Sequence, residues 1–239
     1  NMLKIIFSKR MLITLVMGFS SGFPLLLTSS TLQAWMKDAQ LDLGTIGLIN
    51  LAGIPYSWKF LWAPLFDRFT PFKLGRRRSW LLISQIGVLL TVASMSLFDP
   101  TQHLKLLALA AVLVAFFSAS QDIIIDSYRV EFLPNGEQGL GSSMFIYGYR
   151  IAMLTSGAGS LFLADHLSWP TVYQIMSLGM VIALFCTLLI SEPSQQTPPP
   201  RNFKESVIDP FVEFFKRQGA WTILAFILLY KFGDAMATS

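Results

Sequence analysis

Leu104-Lys105-Leu106-Leu107-Ala108-Leu109-Ala110-Ala111-Val112-Leu113-Val114-Ala115-Phe116-Phe117 runs without a break into Ser118-Ala119-Ser120-Gln121-Asp122-Ile123-Ile124-Ile125-Asp126-Ser127-Tyr128-Arg129. Together the two stretches are long enough to cross a bilayer, which takes about 20 residues in a helix. Yet the second stretch puts two carboxylates and a glutamine into what should be hydrocarbon. An ionised Asp at the bilayer centre costs about 2.5 to 3.5 kcal/mol on insertion scales, so a chain that keeps one there hides it in a bundle interior or a watered cavity. In a helix Asp122, Asp126 and Arg129 are spaced four and three residues apart and share one face. That face is read as lining a pathway through the membrane, with the other helices arranged around it.

Composition agrees. Of the 239 residues, 53% are hydrophobic and 13% charged, whereas a soluble domain carries about 25% charged residues. The fold class expected is all-α, a polytopic membrane bundle, since the ten-residue alternation of a membrane barrel is missing. Spans are expected at residues 11–36, 43–66, 79–97, 104–128, 139–164 and 171–190, with a seventh starting near Ala220. This gives a six-helix N-terminal bundle over 1–190, a cytoplasmic linker with an amphipathic helix (203–216) over 191–218, and the start of a second bundle over 219–239. Because the last residue falls inside an apolar segment, a longer protein is expected. Gly18, Gly22 and Pro24 either break the first span near its middle or form a close-packing Gly-x-x-x-Gly seam.

Lysine and arginine sort by side. The segment before span one and the loops after spans two, four and six hold three, five, one and four of the 18, while the opposite loops hold only Lys37 and Lys105. Positive residues stay on the cytoplasmic side, so the N-terminus is expected there. The same distribution argues against nucleic acid as the partner of a chain with net charge +4. Lone Cys186 is read as a packed thiol, and Trp35, Trp80 and Trp169 as interface anchors.

Three cations, Lys59, Arg150 and Lys231, lie within spans. At a rise of about 1.5 Å per residue, Lys59 and Asp122 each sit about 10 Å inside the cytoplasmic face and Arg150 about 16 Å. Asp122 is either a titrating proton site or the fixed partner of Lys59. Asp126, a second candidate for proton coupling, forms with Arg129 a gate or a structural bridge at the rim. Arg150 suits a substrate carboxylate, because guanidinium presents a planar fork and keeps its charge at depth; the alternative is neutralisation by Asp122 or Asp234. Lys231 and Asp234 share a face and either bind substrate or neutralise each other. Gln33, Gln121 and Tyr149 complete the candidate binding residues. Without a His/Cys/Glu cluster, a nucleophile and base pair or a phosphate loop, neither an enzyme nor a metal site is expected.

Asp67-Arg68, followed by Gly75-Arg76-Arg77-Arg78, resembles the signature loop of major facilitator transporters, with a longer spacer, and marks these residues as gating candidates. More specific are Leu32-Gln33-Ala34-Trp35-Met36, Lys59-Phe60-Leu61-Trp62 with Pro64-Leu65, Gly75-Arg76-Arg77-Arg78 with Trp80-Leu81-Leu82, Ser118-Ala119-Ser120-Gln121-Asp122-Ile123, Gly148-Tyr149-Arg150, and Leu229-Tyr230-Lys231 with Gly233-Asp234-Ala235. Together they resemble the AmpG family of muropeptide permeases. The resemblance implies import of anhydro-muropeptides across the bacterial inner membrane, driven by a proton gradient and needing no cofactor. It also implies a role in peptidoglycan recycling and in β-lactamase induction. The implied fold has two six-helix halves, of which this chain supplies the N-terminal half, the linker and the start of span seven, in a protein working as a monomer. Lys59, Asp122, Asp126, Arg150, Lys231 and Asp234 carry over as matching positions. An acetyl-CoA carrier and a non-transporting muropeptide sensor are the alternatives.

Overall fold

Ser8 starts the first helix, its hydroxyl accepting the Met11 N–H at 3.4 Å as an N-cap. The resulting helix, Lys9–Leu27 (α1), ends where the hydroxyls of Thr28 and Ser29 both donate to the Leu25 carbonyl, at 3.1 and 2.9 Å. Ser30–Asp38 (α2) continues from there. The structure, a computed structural model, describes residues 5–194 and 209–237 and divides into two units, Asn1–Thr197 and Pro198–Ser239.

Four segments among the described residues are long and apolar enough to cross a membrane: Lys9–Asp38 (α1 with α2), Arg76–Met95 (α6), Leu104–Phe132 (α7) and Trp169–Leu189 (α10). They coincide with the first, third, fourth and sixth expected spans.

The second expected span is not one helix. It is built of Leu43–Gly47 (α3), a 3-10 stretch Leu48–Gly53, Ile54–Trp58 (α4), a 3-10 turn Lys59–Leu61 and Ala63–Arg68 (α5). Gly44, Gly47 and Gly53 weaken the helix along the segment. Pro55 and Pro64 each sit in the first turn of a new short helix, where a missing N–H leaves nothing unpaired. The fifth expected span is Gln138–Ser156 (α8) and Ala158–Ala164 (α9), parted at Gly157, whose backbone at φ −85°, ψ −80° leaves the helical region.

For the first span, the close-packing alternative holds. α1 is continuous through Gly18 and Gly22, and its glycines meet α8 backbone to backbone. A Cβ at Gly18 would run into the Phe145 carbonyl, one at Gly22 would lie 2.6 Å from the Tyr149 carbonyl oxygen, and one at Gly148 would strike the Leu15 carbonyl. Small residues permit this approach, and dispersion between the backbones is its reward.

Trp35, expected at the membrane surface, is instead buried. Its ring stacks on Trp169 with centroids 6.3 Å apart and planes 16° apart. Behind them the hydroxyl of fully buried Tyr173 donates to the Leu27 carbonyl at 2.7 Å. In the second unit, Asp209–Lys216 (α11) and Ala220–Ala237 (α12) are helical, with Gly219 at φ +83° between them. Residues 203–208 of the expected amphipathic helix lie outside the described residues.

Candidate functional site

Pro24, inside α1, has no N–H to give the Ser20 carbonyl one turn earlier. Gln121 of α7 fills that role, its Nε2 donating to Ser20 O at 2.6 Å while its Oε1 accepts from the Ser20 hydroxyl at 2.8 Å. Gln85 of α6 donates to the same hydroxyl at 3.4 Å and accepts from Thr187 of α10 at 2.9 Å. Four helices are thus tied by one buried polar chain. Gln121 is 0% exposed and engaged at both ends of its amide, so it holds helices together rather than presenting an amide to a cavity. Gln85, absent from the candidates, could have been noticed as an amide in the middle of an apolar run.

The next residue along α7, Asp122, faces the broken second span. Ser21 of α1 donates to its Oδ1, and Lys59 Nζ lies 4.0 Å from its Oδ2. Lys59 sits on the 3-10 turn where the helical ladder is interrupted, and its side chain is 37% exposed against 18% for Asp122. Trp62 fixes the turn on α7, its Nε1 donating to Ser120 Oγ at 3.0 Å with the ring 4.9 Å from Phe116. An anion, a cation and a hydroxyl donor therefore meet where the enclosure is partial, and either member of the pair can gain or lose water without rebuilding the core.

Asp126, one turn on, is 55% exposed and pairs with Arg129 at 3.5 Å. Arg129 also donates to Ser142 Oγ at 3.4 Å and stands 4.9 Å over the Phe145 ring, so it bridges α7 to α8. Such an exposed pair contributes little by itself.

Arg150 is exposed on α8 between Tyr147 and Leu154 and makes no ion pair among the described residues; Asp122 is not its partner. Tyr149 is half-buried, with its backbone against Gly22. Gln33 of α2 borders a recess of about 150 Å³ that it shares with Thr28, Ser29, Asn50 and Tyr56. Lys231 and Asp234 fall on α12, and their side chains lie outside the described residues.

Just beyond Arg129, at the C-terminal end of α7, is a cluster of charge. Arg77, 3% exposed, lays its guanidinium on the Glu131 carboxylate through Nε at 2.9 Å and Nη2 at 2.7 Å, and reaches Asp67 with Nη1 at 2.6 Å. Arg76 donates to the Asp67 carbonyl at 2.9 Å and lies 3.7 Å from Glu131. Arg68 is exposed, its guanidinium 5.6 Å over the Phe69 ring.

Glu192, just past α10, accepts the backbone N–H of Arg77 and of Arg78 at 2.7 and 3.0 Å. It caps α6, whose positive end favours a carboxylate. Gly75 adopts φ +103°, and a Cβ there would lie 2.6 Å from the Glu192 carboxylate oxygen. Glu131 and Glu192 were missed from sequence. The available signal was their position, since both are acids at span ends that otherwise carry arginine.

A bundle of membrane-length helices, with an ion pair inside it and an arginine-rich loop between two of them, describes a carrier of the major facilitator type. Residues 10–238 match the Major Facilitator Superfamily, and the chain belongs to that superfamily. It is 46% identical over 238 residues to the Anhydromuropeptide permease of Escherichia coli strain K12, an alignment covering 99% of this chain and 48% of that protein. It is also 46% identical over 241 residues to an uncharacterised protein of Haemophilus influenzae (98% of this chain, 56% of that one). To the Putative transporter AmpG 4 of Rickettsia conorii it is 32% identical over 231 residues (92% and 56%). The chain spans about half the length of these curated relatives.

Proposed function

We propose that this chain forms the N-terminal half of a proton-driven carrier that imports anhydro-muropeptides across the bacterial inner membrane. Its N-terminus is cytoplasmic, and the remainder of the same protein completes the cavity. The observation that carries the reading is the 46% identity to the Escherichia coli permease, sustained along 99% of the chain. The geometry supports it.

Arg150 is the residue for a peptide carboxylate: it keeps its charge, offers a fork of donors, is exposed and has no ion pair among the described residues. Lys59 and Asp122 form the coupling pair. Protonating Asp122 releases Lys59, and an arriving substrate carboxylate can replace the lost partner. Asp126 and Arg129 work at the rim. Asp67, Arg76 and Arg77, with Glu131 and Glu192, hold the ends of α5, α6, α7 and α10 together as a gate. Lys231 and Asp234 take complementary parts of the ligand.

One proton crossing 100 mV releases about 2.3 kcal/mol, enough for roughly fifty-fold accumulation of a neutral solute. The test is uptake of labelled anhydro-muropeptide into membrane vesicles with and without an imposed pH gradient. Accumulation that follows the gradient is expected. Binding without uptake would make the protein a sensor, and uptake indifferent to the gradient would remove the proton.

A further inference from the structure

One turn away from the Lys59–Asp122 pair, the same two elements approach each other a second time. Ser118 stands four residues before Asp122 on α7, and Tyr56 three residues before Lys59 on the broken span, so the two contacts are neighbouring rungs on shared faces. The Tyr56 hydroxyl faces that of Ser118 without meeting hydrogen-bond geometry. Both are sealed from solvent, and neither has a partner among the described residues. A serine in a helix can satisfy itself on the carbonyl four residues back, as Ser120 does on Phe116 at 2.8 Å. Ser118, 0% exposed, does not. Buried hydroxyls are nearly always paired, so two that face each other unpaired mark the place of a small third partner.

The surroundings say what that partner is. Thr28, at the end of α1, is a third hydroxyl beside Tyr56. Its proton goes to the Leu25 carbonyl at 3.1 Å, which leaves its lone pairs free to accept. Two hydroxyls that donate or accept and one that accepts make three partners, the number a buried water ordinarily has. An apolar group there would leave all three unpaired. Thr28 and Tyr56 also border the recess of about 150 Å³ beside Gln33, so the place adjoins open space on one side. On the other side Ser118 and Asp122 are about 6 Å apart along the helix axis, a gap that one more water spans with two hydrogen bonds.

We propose that Thr28, Tyr56 and Ser118 hold a single water that relays protons between the recess and Asp122. The water gives one proton toward the carboxylate and takes another from the recess side, so it is unchanged. Asp122 becomes neutral, and Lys59 loses its counter-ion. Tyr56 and Ser118 are positioning residues that keep the water in line. The other groups around Asp122 are Ser21 of α1, Asp126 of α7 and, on α8, Tyr149 with Arg150 beside it; none of them lines the recess. The inference rests on the proton-driven reading and adds the route to it.

The test uses proteoliposomes of the intact carrier. Gradient-driven uptake of labelled anhydro-muropeptide is compared with counterflow at equal pH, in ordinary and heavy water, for Tyr56→Phe and Ser118→Ala. Counterflow exchanges ligand across the membrane without net proton transfer. Each variant should slow gradient-driven uptake about fivefold, the worth of about one hydrogen bond in the barrier, and keep counterflow. The solvent isotope effect on uptake should rise above that of the unaltered protein, because proton delivery becomes the slow step; a structural defect would not raise it. Uptake that keeps its rate, or slows without the larger isotope effect, overturns the relay while the proton reading stands. Loss of counterflow as well assigns the hydroxyls to the fold and overturns the relay too. Uptake by the unaltered carrier that ignores the pH gradient removes relay and proton reading together.

Discussion

Gln121→Leu tests how α1 tolerates a proline in its interior. Gln121 Nε2 supplies, at 2.6 Å, the donor that Pro24 cannot give to the Ser20 carbonyl. Leucine keeps much of the side-chain volume and strands that carbonyl where Gln121 is 0% exposed. A buried polar group left without its partner costs about 1 to 3 kcal/mol. The Ser20 hydroxyl also loses the acceptor for its proton, which the Gln85 N–H, itself a donor, cannot replace, so with both groups affected about 2 to 3 kcal/mol is expected.

Pro24→Ala restores a backbone N–H four residues after Ser20. In that background the same leucine replacement should therefore cost about 1 kcal/mol less. The assay is a double-mutant cycle on thermal unfolding in detergent, followed by tryptophan fluorescence. For a chain of this size each kcal/mol corresponds to about 2 to 4 °C. Coupling indistinguishable from zero, within the roughly 0.3 to 0.5 kcal/mol by which independent sites add, would refute the pairing.

Asp122→Asn should abolish gradient-driven accumulation and leave equilibrium exchange partly intact. The Lys59 attraction it removes is at most about 4 kcal/mol at 4.0 Å in an effective dielectric of 20, less for the solvent that reaches Lys59; uptake with unchanged pH dependence would clear Asp122 of the role. Arg150→Lys keeps the charge and loses the fork, so ligand affinity should fall about tenfold with membrane insertion unaffected, and wild-type binding would take Arg150 out of the site. Gly75→Ala forces a side chain onto φ +103° and against Glu192, and should lower stability by about 1 to 2 kcal/mol; an unshifted melting curve would mean the cap on α6 is dispensable.

What could be read from the chain was what periodicity and composition encode locally. The apolar runs of α1, α6, α7 and α10 announce themselves, because a bilayer asks every span for the same length of hydrocarbon-compatible surface. Two neighbouring positions show the limit. Gln121 and Asp122 are equally conspicuous as polar residues in an apolar run, yet one is locked onto Ser20 and the other faces Lys59, since adjacent residues on a helix point about 100° apart. Which of them meets the partly open side depends on how α7 is rotated, and packing against α1 sets that.

The second span misled for a related reason. Its hydropathy reads as one crossing, while Pro55, Pro64 and three glycines divide the backbone into short pieces. Gly18 and Gly22 left two outcomes open until Gly148 supplied the opposing surface. Glu131 and Glu192 lie 54 and 115 residues from Arg77, so no local pattern ties them to it.

The contact of α1 with α8 has a mechanical corollary. Where the main chains touch, at Gly18, Gly22 and Gly148, the helices cannot slip by a notch without a Cβ meeting a carbonyl. The pair must travel as a single plank, and any swing between outward and inward postures has to be taken up where the plank ends, at Ser29 on one strip and Gly157 on the other.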